Sequence, residues 1–393
     1  MSDIGTVSPA KGLYWRLCLL GSGLFLAGTN AVVIAGLLPH ISETLGTSRT
    51  DVSYSITLYS FVVAIGAPAV AVLIPRWNRT ALMATGLVLI SGGTVLAASS
   101  NVLSWFMVGR VIAGFGGAAL VPAATAAAAA IAPPEKRGRA IAIVAAGFTV
   151  ATAAGSPLGT ALGSIAGWRA PLYIVAALAV LVAVALLIFV RRVPVSPPVP
   201  LLERFAPLRS RRMLTPLLTT FFMVAGFNSV YVFSSAVTEP ETGGDGRLLA
   251  LLLLVFGISG IVGNLIGGAL TDRIGNRLTA TGALVLHGVA LLAVCLFAGN
   301  YLLTAIVFVF WGLGQSAAIP AVQHRLVSID PATSAIALSW YTTVLYFGLG
   351  VAPLLGGLAI SIAGPLLIPI FGAIVVLLAV TTFQLGFVRD RRR

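Results

Sequence analysis

Charge is scarce in this chain: only 9% of its 393 residues are Asp, Glu, Lys or Arg, where a soluble globular domain carries about 25%. Acid is scarcer still, with 11 Asp and Glu against 24 Lys and Arg. The 2 cysteines, Cys18 and Cys295, sit in apolar runs and have no redox or metal spacing. The 3 histidines are too far apart to build a metal site. No nucleophile–histidine pair or carboxylate cluster suggests a hydrolase or transferase. No G-x-x-x-x-G-K-[ST] loop is present to cradle ATP. The expectation is a protein that is not an enzyme and has no catalytic residues, metal or cofactor. What the chain does have is 58% hydrophobic residues and, beyond those, 43 glycines. A soluble protein of this length could not hide that much apolar surface, and a disordered one would not contain it. The composition is that of an integral membrane protein.

A membrane helix needs about 20 mostly apolar residues to cross a hydrocarbon core of about 30 Å. Twelve stretches qualify, at 17–38, 52–74, 80–99, 102–131, 140–165, 171–190, 213–237, 248–271, 278–298, 301–323, 332–360 and 366–388. They are too long for strands, and a barrel would show alternating segments of about ten residues. The fold class is an all-α polytopic membrane protein. Its first apolar stretch opens a series of spans and is expected to be retained, unlike a cleaved signal sequence.

Lys and Arg set the orientation. With the N-terminus cytoplasmic and alternation thereafter, 20 of the 24 basic residues fall on the cytoplasmic side, and Arg49, Arg169 and Arg247 fall outside. The last, Arg110, lies within a span. Both termini are expected in the cytoplasm of a multi-pass protein of the plasma membrane. The net charge of +13 then records topology; the basic residues are scattered over short segments, so nucleic acid is not an expected partner.

The chain compares with itself. GFGGAALVP at 114–122 matches GLGQSAAIP at 312–320, an offset of 198. Pro133 and Pro331 also differ by 198, and Pro157 and Pro353 by 196. Six helices is an even number, so the two copies insert in the same sense, as parallel repeats. The expected domains are a bundle at 1–190, a Pro- and Arg-rich cytoplasmic linker at 191–212 and a second bundle at 213–393.

Several motifs resemble those of the major facilitator superfamily. GGALTDRIGNR at 267–277 resembles its loop signature, which implies a cytoplasmic latch between halves built from Gly268, Asp272, Arg273 and Arg277. The latch would face the start of the fifth span near Arg139. The first-half copy, VAVLIPRWNR at 70–79, keeps Arg76 and Arg79 but has Pro75 where the carboxylate would stand. RVIAGFGG at 110–117 resembles the family's fourth-helix motif. An intramembrane charge such as Arg110 is a functional candidate, the alternative being a structural tie to backbone carbonyls. GFTVATAAGSPLG at 147–159 resembles the antiporter motif of drug and sugar exporters. Its Gly147, Gly155 and Gly159 form a small-residue face bent by Pro157, echoed by Pro353 and Gly356 in the eleventh span; these faces are expected at the moving interface. AGTNAVVIAGLLP at 27–39 looks like the first helix of twelve-span drug:proton antiporters of the arabinose-efflux and chloramphenicol-exporter type. Those commonly carry Glu where this chain has Ala31, and no acidic residue lies inside any span.

The family's cavity helices here offer Asn30, Tyr59, Thr152, Asn228, Tyr231, Ser235, Asn264, Trp311, Gln315 and Tyr341. That lining suits a small amphipathic organic ligand, and with Arg110 as the lone charge a neutral or anionic one. Packing or interhelical hydrogen bonding is the alternative role for each. The resemblance implies a monomeric secondary transporter in the lipid bilayer, exporting small drug-like or sugar-like solutes by alternating access coupled to protons. An uncoupled facilitator or importer on the same fold is the rival.

Overall fold

The computed structural model describes residues 9–73, 77–133, 136–190, 193 and 205–388. Twelve helices in it are long and apolar enough to cross a membrane. They are α1 (Pro9–Leu45), α2 (Arg49–Leu73), α3 (Arg79–Ser99), α4 (Leu103–Ile131), α5 (Arg137–Ala166) and α6 (Arg169–Phe189) in the first repeat. The second repeat holds α7 (Arg211–Val232), α8 (Gly246–Ile274), α9 (Asn276–Leu296), α10 (Tyr301–Ile329), α11 (Ser334–Ala363) and α12 (Leu367–Val388). α1 has 37 residues, about 56 Å at 1.5 Å per residue, so its ends project past the hydrocarbon. The seventh span stops at Val232, short of the expected 237, and two short helices, Ser234–Val237 and Glu239–Thr242, lead into α8.

Besides Pro157, prolines lie beyond the first turn in six of these helices, at Pro39, Pro68, Pro122, Pro216, Pro320 and Pro353. The carbonyl freed by Pro216 accepts from the Thr215 hydroxyl, and the one freed by Pro353 accepts from the Asn228 amide of α7. The break expected at Pro157 takes a specific form. α5 widens into a π-turn over Ala151–Gly155, and the Ser156 N–H reaches back five residues to the Ala151 carbonyl. Proline has no N–H to continue the ordinary ladder, so the extra residue is absorbed one turn before it.

Water does not drive helix association inside lipid, so close approach of small residues carries it. α3 and α4 meet glycine to glycine, a Cβ at Gly93 falling 2.5 Å from the Gly109 carbonyl oxygen and the reverse also 2.5 Å. A related contact recurs across the repeat. A Cβ at Gly114 would press the Tyr59 carbonyl oxygen at 3.0 Å, and one at Gly312 would press the Phe256 carbonyl oxygen. Leucines such as Leu181, Leu265 and Leu377 stand exposed around the outside, where lipid would cover them.

The described basic residues gather at one end, called here the basic end; Arg49, Arg169 and Arg247 lie at the other. α1 starts and α12 ends at the basic end. Arg139 stacks on Tyr14 there (5.5 Å to the ring centroid), and Arg277 Nε donates to Gln384 Oε1 at 2.9 Å. The two repeats meet along α2–α11 and α5–α8. The seam is tight away from the basic end. Arg49 pairs with Glu239 at 2.8 Å, Thr57 Oγ1 donates to the Gly350 carbonyl at 2.8 Å, and Phe61 packs on Phe347 at 5.8 Å. α8 packs along Ala151–Ala166 much more than along Arg137–Val150.

Candidate functional site

The first-repeat site is built around Arg110, which α4 places in the bundle interior with 1% of its surface exposed. Its Nη1 donates to Asn30 Oδ1 on α1. Its guanidinium carbon stands 4.6 Å from the centroid of the Tyr59 ring on α2. Asn30 Nδ2 donates in turn to Thr94 Oγ1 on α3, and Tyr59 Oη donates to the Ala27 carbonyl at 3.1 Å. The other two donor atoms of the guanidinium, Nε and Nη2, are buried without a hydrogen-bond partner. Leaving a buried charge unpaired costs several kcal/mol. The simple structural tie to backbone carbonyls, one of the two roles open in the sequence, is not what the side chain makes.

The second-repeat counterpart is aromatic. Phe227, Tyr231, Phe256, Phe308 and Trp311 form a connected cluster, with Phe227 stacked on Phe256 at 5.4 Å and Phe256 on Trp311 at 4.7 Å. Asn228 is the repeat mate of Asn30 by the offset of 198, and Phe308 that of Arg110. Asn228 Nδ2 donates to the Leu349 carbonyl on α11 at 3.2 Å. The polar half of the site therefore belongs to the first repeat and the apolar half to the second.

Other expected residues have local partners. Thr152 Oγ1 donates to the Phe148 carbonyl of its own helix at 3.3 Å. Gln315 Oε1 accepts from its neighbour Ser316 at 2.9 Å. Ser235 is buried and its hydroxyl unpartnered, while Asn264 is half-buried. Tyr341 stands apart from this constellation: it packs with Met213, Leu217, Leu326 and Ala337 in a small separate core toward the basic end.

The glycine faces need correcting. A Cβ at Gly147, Gly155 or Gly159 would strike Gly21, Thr29 or Val33 of α1. That face therefore packs inside the first repeat, and the seam is made by the adjacent face of α5, where Ala153 meets Gly257 and Ser164 meets Gly246. Gly356 likewise packs on Phe233 of its own repeat, while Gly350 and Gly357 meet α2 at Phe61 and at Thr50 and Tyr54. Pro353 lies between them on α11. Both helices are small-residue on more than one face, and spacing alone does not separate the faces.

In the loop signature the close-packing glycine is Gly267, whose Cβ would strike the Ala317 backbone on α10; Gly268 faces open space. Gly260, Gly263 and Gly267 share one side of α8, and Gly268 is turned away from it by one residue. Asp272 and Arg273 are exposed, and Asp272 makes no hydrogen bond or ion pair among the described residues. Its expected neighbour Arg139 is engaged with Tyr14. Arg277 ties α9 to α12 through Gln384 and stands 5.3 Å from the Phe387 ring centroid. Arg79 opens α3 after the cap formed by Asn78. Arg76 lies outside the described residues.

Sequence reasoning missed two buried polar groups. Tyr346 is 2% exposed with an unpartnered hydroxyl, its ring 6.4 Å from the Phe148 ring across the seam. His287 on α9 is fully buried with both ring nitrogens unpartnered. For Tyr346 a signal existed, because it is the repeat mate of Phe148 at the offset of 198. A contact between repeat mates lies on the pseudo-twofold axis, which runs along the membrane normal.

Comparison with known proteins places this geometry. The Major Facilitator Superfamily model matches residues 20–323 and 217–393. The uncharacterized MFS-type transporter YbcL of Bacillus subtilis is 31% identical over 95% of this chain and 96% of its own. The inner membrane transport protein YdhP of Escherichia coli is 29% identical over 93% and 94%. A bacterial homologue of the human lysosomal transporter Spinster, solved inward-facing and occupied, superposes with a TM-score of 0.75 at 19% identity, covering 98% of each chain. Its inward-facing unoccupied form gives 0.73 at 18% identity, over 97% of this chain and 98% of that one. With the twelve spans, the repeat and the family match in agreement, the chain belongs to the Major Facilitator Superfamily and is a multi-pass membrane transporter.

Proposed function

We propose that this transporter exports small drug-like or sugar-like organic solutes by alternating access, driven by proton influx, as a monomer in the cytoplasmic membrane. The bundles 1–190 and 213–393 are the moving bodies in this reading, joined by the cytoplasmic segment 191–212. The observation that carries it is the asymmetry of the seam. Contacts between repeats concentrate at the end with few basic residues, through Arg49–Glu239 and Thr57–Gly350, while Asp272 at the basic end has no ion pair or hydrogen bond among the described residues. Lys and Arg mark the cytoplasmic side, so the arrangement suits a carrier closed to the outside and open to the cytoplasm. The inner-membrane description of YdhP supports the same location.

One observation favours a second reading, an uncoupled facilitator or importer of a neutral or anionic solute. Every described acidic residue lies at a helix end or in a loop, and Ala31 stands in the interior where related exporters carry Glu. A proton carrier ordinarily needs a titratable group reached from both sides in turn. The test is a solute panel in proteoliposomes with and without an imposed pH gradient. Uphill movement that collapses with the gradient supports antiport; movement that only follows the solute's own gradient rejects it in favour of the facilitator.

A further inference from the structure

We infer that the transported solute carries a carboxylate, held on the free edge of Arg110 and met from the second repeat by the Tyr346 hydroxyl. The inference rests on the carrier reading above and adds the chemical class of what is carried.

A guanidinium has five N–H donors in a fixed plane. At Arg110, Nη1 is engaged by Asn30 Oδ1 and one face is covered by the Tyr59 ring. The donors left over are Nε and Nη2. They are neighbours on one edge of the plane, with N–H bonds pointing the same way. This is the edge that takes a carboxylate through two parallel N–H···O bonds. Asn30 holds the opposite side of the guanidinium, and is itself held by Thr94, so the free edge is fixed in direction before anything binds.

Among the described residues no acidic side chain meets that edge. The chain's 11 acidic residues are Asp3, Glu43, Asp51, Glu135, Glu203, Glu239, Glu241, Asp245, Asp272, Asp330 and Asp390. None falls in the interior of a span. The nearest alternatives on the page are neutral, and Tyr59 Oη is already donating to the Ala27 carbonyl. The counter-charge for Arg110 therefore comes from outside the protein. A cationic solute would meet like charge in a buried setting and is excluded by the same feature.

An inorganic anion would satisfy the charge but would leave Tyr346 unexplained. That hydroxyl is buried and unpartnered, and its ring lies beside Phe148 on the pseudo-twofold axis. Arg110, against the Tyr59 ring, lies in the first repeat, and Tyr346, against the Phe148 ring, lies in the second. An organic acid with its carboxylate on Arg110 and an apolar body against these rings would touch both repeats at once. Such a ligand gives the two halves a shared contact that neither has when empty.

The test uses the purified full chain in lipid nanodiscs, with benzoate, benzamide, benzylamine and sodium chloride as probes, read by calorimetric titration and thermal midpoint. Benzoate is expected to bind saturably and at least about tenfold more tightly than benzamide, the weight of one hydrogen bond to a charged group; benzylamine should not bind. Arg110→Lys keeps the charge and loses the fork, and should weaken benzoate by about tenfold or more. Arg110→Met should abolish benzoate binding while leaving the ligand-free midpoint at or above that of the native chain, because an unpaired buried charge has gone. Tyr346→Phe should weaken benzoate severalfold without abolishing it. Equal binding of benzamide, benzoate binding that survives in Arg110→Met, or full displacement of benzoate by equimolar chloride would each overturn the inference. The carrier reading fails separately. Benzoate binding without flux of any solute in proteoliposomes would sink the carrier and keep the site, and flux of neutral or cationic solutes without benzoate binding would do the reverse.

Discussion

Gly257 and Gly263 stand six residues apart on α8 and face different bodies. A Cβ at Gly257 would strike the Ala153 Cα, on α5 of the first repeat, and lie 2.9 Å from the Cβ and the carbonyl oxygen of that residue. A Cβ at Gly263 would lie 2.5 Å from the Leu313 carbonyl oxygen and 2.8 Å from its Cα, on α10 of its own repeat. Ordinary carbon–carbon contact is about 3.5–4.0 Å, so either methyl demands a shift of about 1 Å or more from backbone that no rotamer change can supply. Overpacking of this kind costs about 1–3 kcal/mol. Where that cost is felt differs. The repeats can part at Gly257 by moving as bodies, whereas α8 and α10 can part only by loosening one bundle.

Gly257→Ala should therefore shift the conformational equilibrium by about 5- to 150-fold toward states open at the end opposite the basic end, at 1.4 kcal/mol per tenfold. It should lower the thermal midpoint less than Gly263→Ala does, since parting of the repeats relieves the clash and alanine is the better helix former by about 0.5–1 kcal/mol. Gly263→Ala should lower the midpoint and leave the equilibrium alone. The assay is a spin–spin distance distribution between labels at Glu43→Cys and Arg247→Cys, both exposed at that end, with Cys18 and Cys295 replaced by serine. A longer-distance population should grow in Gly257→Ala alone. Identical behaviour of the two variants, either both destabilised with unchanged distances or both shifted, would refute the assignment of these faces.

Three smaller perturbations test other parts of the same picture. Arg49 and Glu239 side chains are 36% and 51% exposed, so Arg49→Gln should shift the same distance distribution by at most about fivefold, an exposed pair being worth about 1 kcal/mol or less; the shift should vanish in high salt and in a Glu239→Gln background. Gly275 turns the α8–α9 corner at φ +82°, so Gly275→Ala should cost about 1 kcal/mol or more and lower the thermal midpoint, with no change in distances. Asp272 is exposed and unpartnered in this conformation, so Asp272→Asn should leave the midpoint unchanged and slow transport, through loss of a contact made when the basic end closes. Transport rates equal to those of the native chain would remove the latch role.

The spans, the repeat and the intramembrane position of Arg110 were legible in the sequence, because each depends on quantities that run along the chain. Apolar length fixes that α4 crosses, basic residues mark one end apart from the other, and a lone arginine eight residues into a span advertises itself. Which face of a helix meets which neighbour was not legible. In water a polar stripe marks the outer face of a helix, but lipid removes that marker, and α5 or α8 is apolar all round. Hence Gly147, Gly155 and Gly159 looked equally suited to the seam and to α1, Gly268 looked as good as Gly267, and Tyr341 was chosen over Tyr346 although they sit on the same helix.

The repeat itself supplies part of the missing azimuthal information. Two copies related by an axis along the membrane normal place mates i and i + 198 at equal distances from that axis. A residue can touch its own mate only if both lie beside the axis, as Phe148 and Tyr346 do. Mates that differ in chemistry while occupying equivalent interiors, as Arg110 and Phe308 do, show where the two halves have taken different tasks. Packing alone would let both copies keep the same residues. The divergence at the Arg110 position, a buried cation against a phenyl ring, concentrates the unbalanced charge of the described membrane interior in one repeat; on the carboxylate reading proposed above, specificity is set there, with the second repeat contributing apolar surface and the Tyr346 hydroxyl.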